Sequence, residues 1–304
     1  MTEFQSGSMK RVVAVLVGLG SLSLSGAFAE DCQRGEQMFE QSKTEPQASQ
    51  RIVLLERSAS LCGRFATHYA LGRERLALGV TGPAAEAFET ALQLAGDDRA
   101  AMLALGRLAE ARYEQGRIGE AVAALEGAYG QLAAVSPPQA APPWLEALRR
   151  TLDVRMASTV VTADTMRSIF TSFATRGIGV VPRVQLPVQF DYDSSELAAE
   201  GISQVTELGM ALATPKLLAP QQKIRVVGHT DARGTDAYND RLSLARAQTV
   251  ARALEQRLPE LAGRIVVEGH GRHELRHEGN DEETHRLNRR VEIRIEPGLR
   301  TAGP

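Results

Sequence analysis

The chain of 304 residues carries 35 basic against 37 acidic side chains, a formal net charge of −2, and so lacks the basic excess with which a dedicated nucleic-acid binder neutralises phosphates. With 43% hydrophobic and 24% charged residues it has the composition of a folded protein, neither disordered nor collagenous. Only 5% of residues are aromatic and Trp144 is the single tryptophan, which argues against stacking platforms; recognition is expected to lean on charges and backbone.

Lys10 and Arg11 precede an apolar and small-residue run from Val12 to Leu24, which ends at Ala27-Phe28-Ala29. A charged start, a short apolar middle and an Ala-x-Ala site describe an export signal, and residues 1–29 are read as a signal peptide. The run is shorter than the roughly 20 residues of a membrane-spanning helix, and no later segment reaches that length. Glu30 and Asp31 ahead of Cys32 do not make a lipid-attachment site. In an exported chain the two cysteines, Cys32 and Cys62, are expected to form one disulfide.

Residues 30–135 are expected to be an all-α repeat domain. At a spacing of 37 the sequence pairs Gly72 with Ala109, Gly79 with Gly116, Ala84 with Ala121, Phe88 with Leu125 and Ala91 with Ala128. Small residues where helices cross, a glycine at the turn and an apolar face on the second helix describe stacked helical pairs. A degenerate earlier copy starts near Gly35 and carries Ala48, Ile52 and Leu55. These positions resemble the tetratricopeptide repeat, and the resemblance implies a concave surface for a protein partner; a helical spacer is the alternative. Residues 136–178 begin with Pro137, Pro138, Pro142 and Pro143, which stop the helices and stiffen the chain, and continue as connecting helices near 144–154 and 163–173.

From Val184 the period changes. Val184, Leu186, Val188 and Phe190 alternate with polar residues as a half-buried strand, with Pro187 placing it at an edge or a bulge. A helix is expected from Ser194 or Ser195 to Pro215, a strand over 223–227, a long helix over 237–258, a strand over 264–268 and a last strand through Val291, Ile293 and Ile295. Residues 179–298 therefore form a two-layer α/β domain with a mixed sheet, and residues 299–304 a disordered tail.

The loop Gly228-His229-Thr230-Asp231-Ala232-Arg233-Gly234 enters the long helix, where Asn239, Ser243, Arg246 and Val250 share one stripe. This presents Asn239 and Arg246 toward the loop that bears Asp231, and Gly228 and Gly234 are expected to let the loop approach a ligand. A carboxylate and a guanidinium facing one groove make a receptor for a zwitterion, Asp231 for its ammonium and Arg246 for its carboxylate.

The string from Gly228 to Ala247, with Phe190-Asp191-Tyr192-Asp193 upstream and Asn288-Arg289-Arg290-Val291-Glu292-Ile293 at the end, resembles the C-terminal peptidoglycan-binding domain of the outer-membrane protein A family. It is similar also to the same domain in peptidoglycan-associated lipoproteins and flagellar motor stators. The resemblance implies a non-catalytic periplasmic protein that binds peptidoglycan through the meso-diaminopimelate of stem peptides and is associated with the cell wall. It places the chief contacts on Asp231 and Arg246, with support from Thr230, Asn239, Leu242, Arg290 and Asp191. No cofactor, nucleic-acid partner or dedicated metal site is expected, and attachment to the outer membrane is left open. An adaptor working mainly through its helical repeats is an alternative.

One rival chemistry is written into the sequence. His273-Glu274-Leu275-Arg276-His277 matches H-E-x-x-H, which on a helix sets two histidines on a zinc with the glutamate as general base. Gly269, Gly271 and Gly279 flank a stretch nearly without apolar residues, so a helix here would have no buried face to hold the ligands.

Overall fold

The computed structural model describes residues 20–175, 181–188, 190 and 194–296. Residues 1–19 of the expected signal peptide, Asp191 and the expected tail lie outside the described residues.

Eight helices precede the first strand among the described residues: α1 (Gly20–Thr44), α2 (Ala48–Leu61), α3 (Phe65–Ala77), α4 (Thr81–Gln93), α5 (Asp98–Glu114), α6 (Ile118–Ala134), α7 (Pro143–Ala157) and α8 (Ala163–Thr175). None of the described helices is long and apolar enough to cross a membrane. The repeat is plain in the turns. Gly79 and Gly116 both take positive φ, 73° and 72°, which glycine adopts without steric cost. The following residues repeat the same bond, Val80 N donating to Arg75 O and Arg117 N to Arg112 O, each at 2.9 Å.

Packing explains the small residues. A Cβ on Gly72 would stand 2.6 Å from the Phe88 ring, so the phenyl occupies the space a side chain would need. Ala84, Ala91, Ala121 and Ala128 are fully buried beside Phe88 and Leu125. A disulfide joins Cys32 of α1 to Cys62 at the end of α2, closing a sequence separation of 30. A loop of that order stabilises a fold by about 3 to 4 kcal/mol in the chain-entropy account.

The C-terminal part has β1 (Arg183–Leu186), α9 (Ala199–Leu212), β2 (Ile224–Gly228), α10 (Asp236–Arg257), β3 (Ile265–Gly269), α11 (Glu282–Asn288) and β4 (Val291–Ile295). The sheet order is β1-β4-β2-β3, with β2 and β3 parallel and both other pairs antiparallel. Strand β1 is an edge and stops before Pro187, shorter than its alternation suggested. Helix α9 begins at Ala199 rather than at the serines, because Ser194 Oγ accepts from Glu196 N in a local turn and Phe190 bridges Leu197.

Register sorts the sheet into an oily and a polar face. Val184, Leu186, Ile224, Val226, Val291 and Ile293 are buried in the core. On the other face Arg225, Glu268, Glu292 and Arg294 form ion pairs. The apolar core is continuous between the two parts, running from Phe88 and Leu125 through Leu152 and Ile169 to Val205 and Ile293. Polar contacts join them as well: Gln204 of α9 exchanges two hydrogen bonds with the backbone of Val161, 2.8 and 3.0 Å.

Candidate ligand-binding cleft

The cleft forms where β2 runs into α10. A Cβ on Gly228 would lie 2.1 Å from Ser243 O, and one on Gly269 2.5 Å from Leu244 N. Glycine at both strand ends therefore lets α10 lie against the backbone of β2 and β3. The expectation that Gly228 serves ligand approach is corrected by this contact, since the helix fills that space. Gly234, at φ 86°, turns the loop, and Thr235 caps α10 by accepting from Tyr238 N.

Asn239, Ser243, Arg246 and Val250 are all buried on one side of α10. Beyond them opens a cleft of about 700 Å³ whose walls include Thr230, Asp231, Asn239, Leu242 and Arg246. Phe190, Arg233, Gly234, Tyr238, Glu282 and Arg289 complete it. Arg246 Nε donates to Ser194 O at 3.1 Å, and its guanidinium stands 4.9 Å from the Phe190 ring centre, a cation–π contact that fixes its plane. Asn239 Nδ2 donates to Arg233 O at 2.7 Å. Among the described residues the buried Oγ1 of Thr230 has no hydrogen-bond partner.

Asp231 is held tightly. Arg233 donates to Oδ1 from its backbone N at 3.0 Å and to Oδ2 from Nη2 at 2.6 Å, and Arg289 Nη1 donates to Oδ2 at 2.8 Å. Burial by itself would raise this carboxyl, but the bonds from Arg233 and Arg289 outweigh it and pull it down to about 2. Asp231 is therefore an anion at neutral pH.

The stretch that builds this cleft, residues 189–289, matches the OmpA family. Residues 189–289 are an OmpA family domain. Outer membrane porin F of Pseudomonas aeruginosa is 34% identical over 119 residues, 39% of this chain and 33% of the relative. The peptidoglycan-associated lipoprotein of Legionella pneumophila is 36% identical over 108 residues, 34% of this chain and 56% of the relative. The chain thus spans a third of the first relative's length and just over half of the second's. Among solved structures, the peptidoglycan-associated lipoprotein from Burkholderia pseudomallei is 28% identical, with 36% of this chain and 94% of that chain covered and a TM-score of 0.31.

Within the OmpA domain two neighbouring arginines go to different places. Arg289 lines the cleft, whereas Arg290 does not. Arg290 is buried, donating to Gln185 Oε1 at 2.9 Å and to the carbonyls of Asn288 and Glu274. Burial, reinforced by the charge of Arg276, pushes its guanidinium down to about 10. Arg290, expected at the ligand, thus stands away from the cleft, and Arg289, Arg233 and Glu282, which the sequence expectation does not include, line it. The Asn288-Arg289-Arg290 string is the available signal; Arg289 caps the end of α11 and Arg290 leads into β4, and the turn between helix and strand decides which arginine faces the cleft.

The H-E-x-x-H segment of the OmpA domain is not helical; residues 271–274 form a turn and 276–277 a bend. His273 pairs with Asp240 at 3.1 Å, while His277 is buried against Asp153 of α7 at 2.7 Å. The two imidazoles thus face different neighbours, and the zinc-hydrolase geometry is not formed. Arg276 and His277 instead clamp the OmpA domain to the helices, Arg276 reaching Glu126 of α6 at 2.6 Å as well as Asp153.

Proposed function

We propose that this protein binds peptidoglycan non-covalently and without catalysis, in the periplasm at the cell wall, by gripping the zwitterionic end of a diaminopimelate-containing stem peptide. The observation that carries this reading is that an anionic Asp231 and the oriented guanidinium of Arg246 line one open cleft. Arg246 takes the ligand carboxylate and Asp231 its ammonium, with Thr230, Asn239 and Leu242 as further walls. The relative named as a peptidoglycan-associated lipoprotein supports the same reading. The helical part acts as a protein-interaction module held in fixed orientation to the wall-binding domain.

Co-sedimentation with purified wall tests this. The protein is expected to pellet with diaminopimelate-type peptidoglycan and poorly with lysine-type wall, whose side-chain amine lacks the neighbouring carboxylate. Asp231→Asn and Arg246→Ala should each lower pelleting at least tenfold with an unchanged circular dichroism spectrum. Equal pelleting of variants and parent, or of the two wall types, would reject the assignment.

A further inference from the structure

Behind the cleft, on the sheet face away from α10, lies a group of side chains that the peptidoglycan reading does not use. His229 and His270 follow the last residues of the paired parallel strands β2 and β3, where Gly228 is in register with Gly269. His270 N donates to Gly228 O at 3.0 Å and His229 N to Arg290 O at 3.0 Å, so the ladder continues through both histidines. Their rings stand edge to face with centres 5.5 Å apart. Among the described residues, His229, His270 and Glu274 form a group whose ligand atoms, one from each, all lie within 4.8 Å of one another.

His229 supplies an independent observation. The residue is 1% exposed, and among the described residues neither ring nitrogen has a hydrogen-bond partner. An imidazole buried without a partner forfeits the desolvation cost of its polar atoms, so such a group ordinarily has something to bind. The nearest carboxylate oxygen, on Glu292, is 3.7 Å from Nε2. His270 is better supported, with Nε2 3.2 Å from Glu268 and Nδ1 3.1 Å from Glu274. A carboxylate behind one ring nitrogen while the other faces a further oxygen ligand is the arrangement that orients metal-binding histidines.

We propose that His229, His270 and Glu274 form a binding site for a divalent transition-metal cation of the zinc type. Two imidazoles sharing one tetrahedral zinc place their ring centres about 5 Å apart, close to the spacing seen here. Two nitrogen donors and one carboxylate favour zinc over magnesium or calcium, which prefer all-oxygen shells. The positive charge of Arg290, which bonds to Glu274 O, opposes a cation, and Arg225 and Arg294 pair with Glu268 and Glu292. Three carboxylates around the two imidazoles offset those three arginines. The bound ion ties the ends of β2 and β3 to the turn that leads into Arg276 and His277, and so braces the clamp on α6 and α7. It goes beyond wall binding and differs from the H-E-x-x-H pair, since His273 and His277 take no part.

The test is calorimetric titration of zinc chloride into the full chain after stripping with a chelator. One equivalent is expected to bind with a micromolar or tighter Kd, and magnesium chloride is expected to give no saturable heat. His270→Ala and Glu274→Gln, both at partly exposed positions, should weaken zinc at least tenfold while keeping the circular dichroism spectrum. His273→Ala should leave the titration unchanged. Cobalt(II) loaded in place of zinc should show visible absorption of tetrahedral intensity that His270→Ala removes. Absence of one-equivalent binding, unchanged affinity in His270→Ala, or an equal loss in His273→Ala would each overturn the site, the last by showing adventitious surface binding only.

Discussion

The guanidinium of Arg276 holds the carboxylate of Asp153 through two hydrogen bonds, 2.5 Å from Nε to Oδ2 and 3.1 Å from Nη2 to Oδ1. Arg276 belongs to the OmpA domain and Asp153 to α7, and the side chains are 10% and 13% exposed. Buried charges of this kind add little over a well-packed apolar pair, but removing one partner strands the other. Arg276→Ala, which leaves Asp153 and Glu126 without that cation, is expected to cost about 3 to 5 kcal/mol. For a chain of this size that corresponds to a fall in Tm of roughly 6 °C or more, readable by scanning calorimetry. A fall below about 2 °C would show that the clamp does not hold the two parts together.

The same pair sets an acid limit. Burial raises the Asp153 carboxyl, but the charge of Arg276 and the bond from His277 outweigh it and pull the group from 3.8 to about 2. Because the folded form holds this proton more weakly than the unfolded chain, the contribution is complete above about pH 4 and is lost as pH falls toward 2. Urea midpoints measured across that window should decline in the parent and decline less steeply in Asp153→Asn. Parallel curves would remove Asp153 as a source of acid sensitivity.

Arg233 is 55% exposed and shares its guanidinium between Asp231 and Glu282. The Arg233 end of this pair is solvent-screened and so contributes only about 1 kcal/mol, whereas Arg289 still holds the buried Asp231, so a ligand ammonium displaces Arg233 at small cost. Arg233→Ala is expected to leave Tm within about 2 °C and to tighten wall binding by up to about fivefold, as measured in co-sedimentation isotherms. Weakened binding would mean that Arg233 contacts the ligand or sets the angle of the Asp231 carboxylate.

Two classes of glycine should respond differently to alanine. At Gly79 and Gly116 a Cβ meets nothing within 4 Å, so only the positive φ is penalised, by about 1 to 2 kcal/mol at each position. At Gly228 the added carbon would overlap Ser243 O, and α10 must move with Asn239 and Arg246 on it. Gly228→Ala should therefore lose wall binding as well as stability, whereas Gly79→Ala and Gly116→Ala should retain binding. Intact binding in Gly228→Ala would show that the helix can shift without disturbing the cleft.

Much of the fold was legible in the chain because it rests on local periods. A spacing of 37 marked the turn glycines, since only glycine takes their backbone conformation cheaply, and helical spacing alone grouped Asn239, Ser243, Arg246 and Val250. The alternation through Val291, Ile293 and Ile295 announced a strand with one oily face. Three features have no local period and were decided by tertiary structure. The turn from α11 into β4 sends Arg289 to the cleft and Arg290 into the interior, although the two are chemically alike and adjacent. Packing of α10 against bare backbone turns Gly228 into a contact for the helix. A segment that spells a zinc motif becomes a clamp, because its charges find Asp153 and Glu126 more than a hundred residues away. The sequence determines which side chains are available and how they repeat; which charge meets which depends on long-range burial, where an unpaired ion is too costly to leave alone.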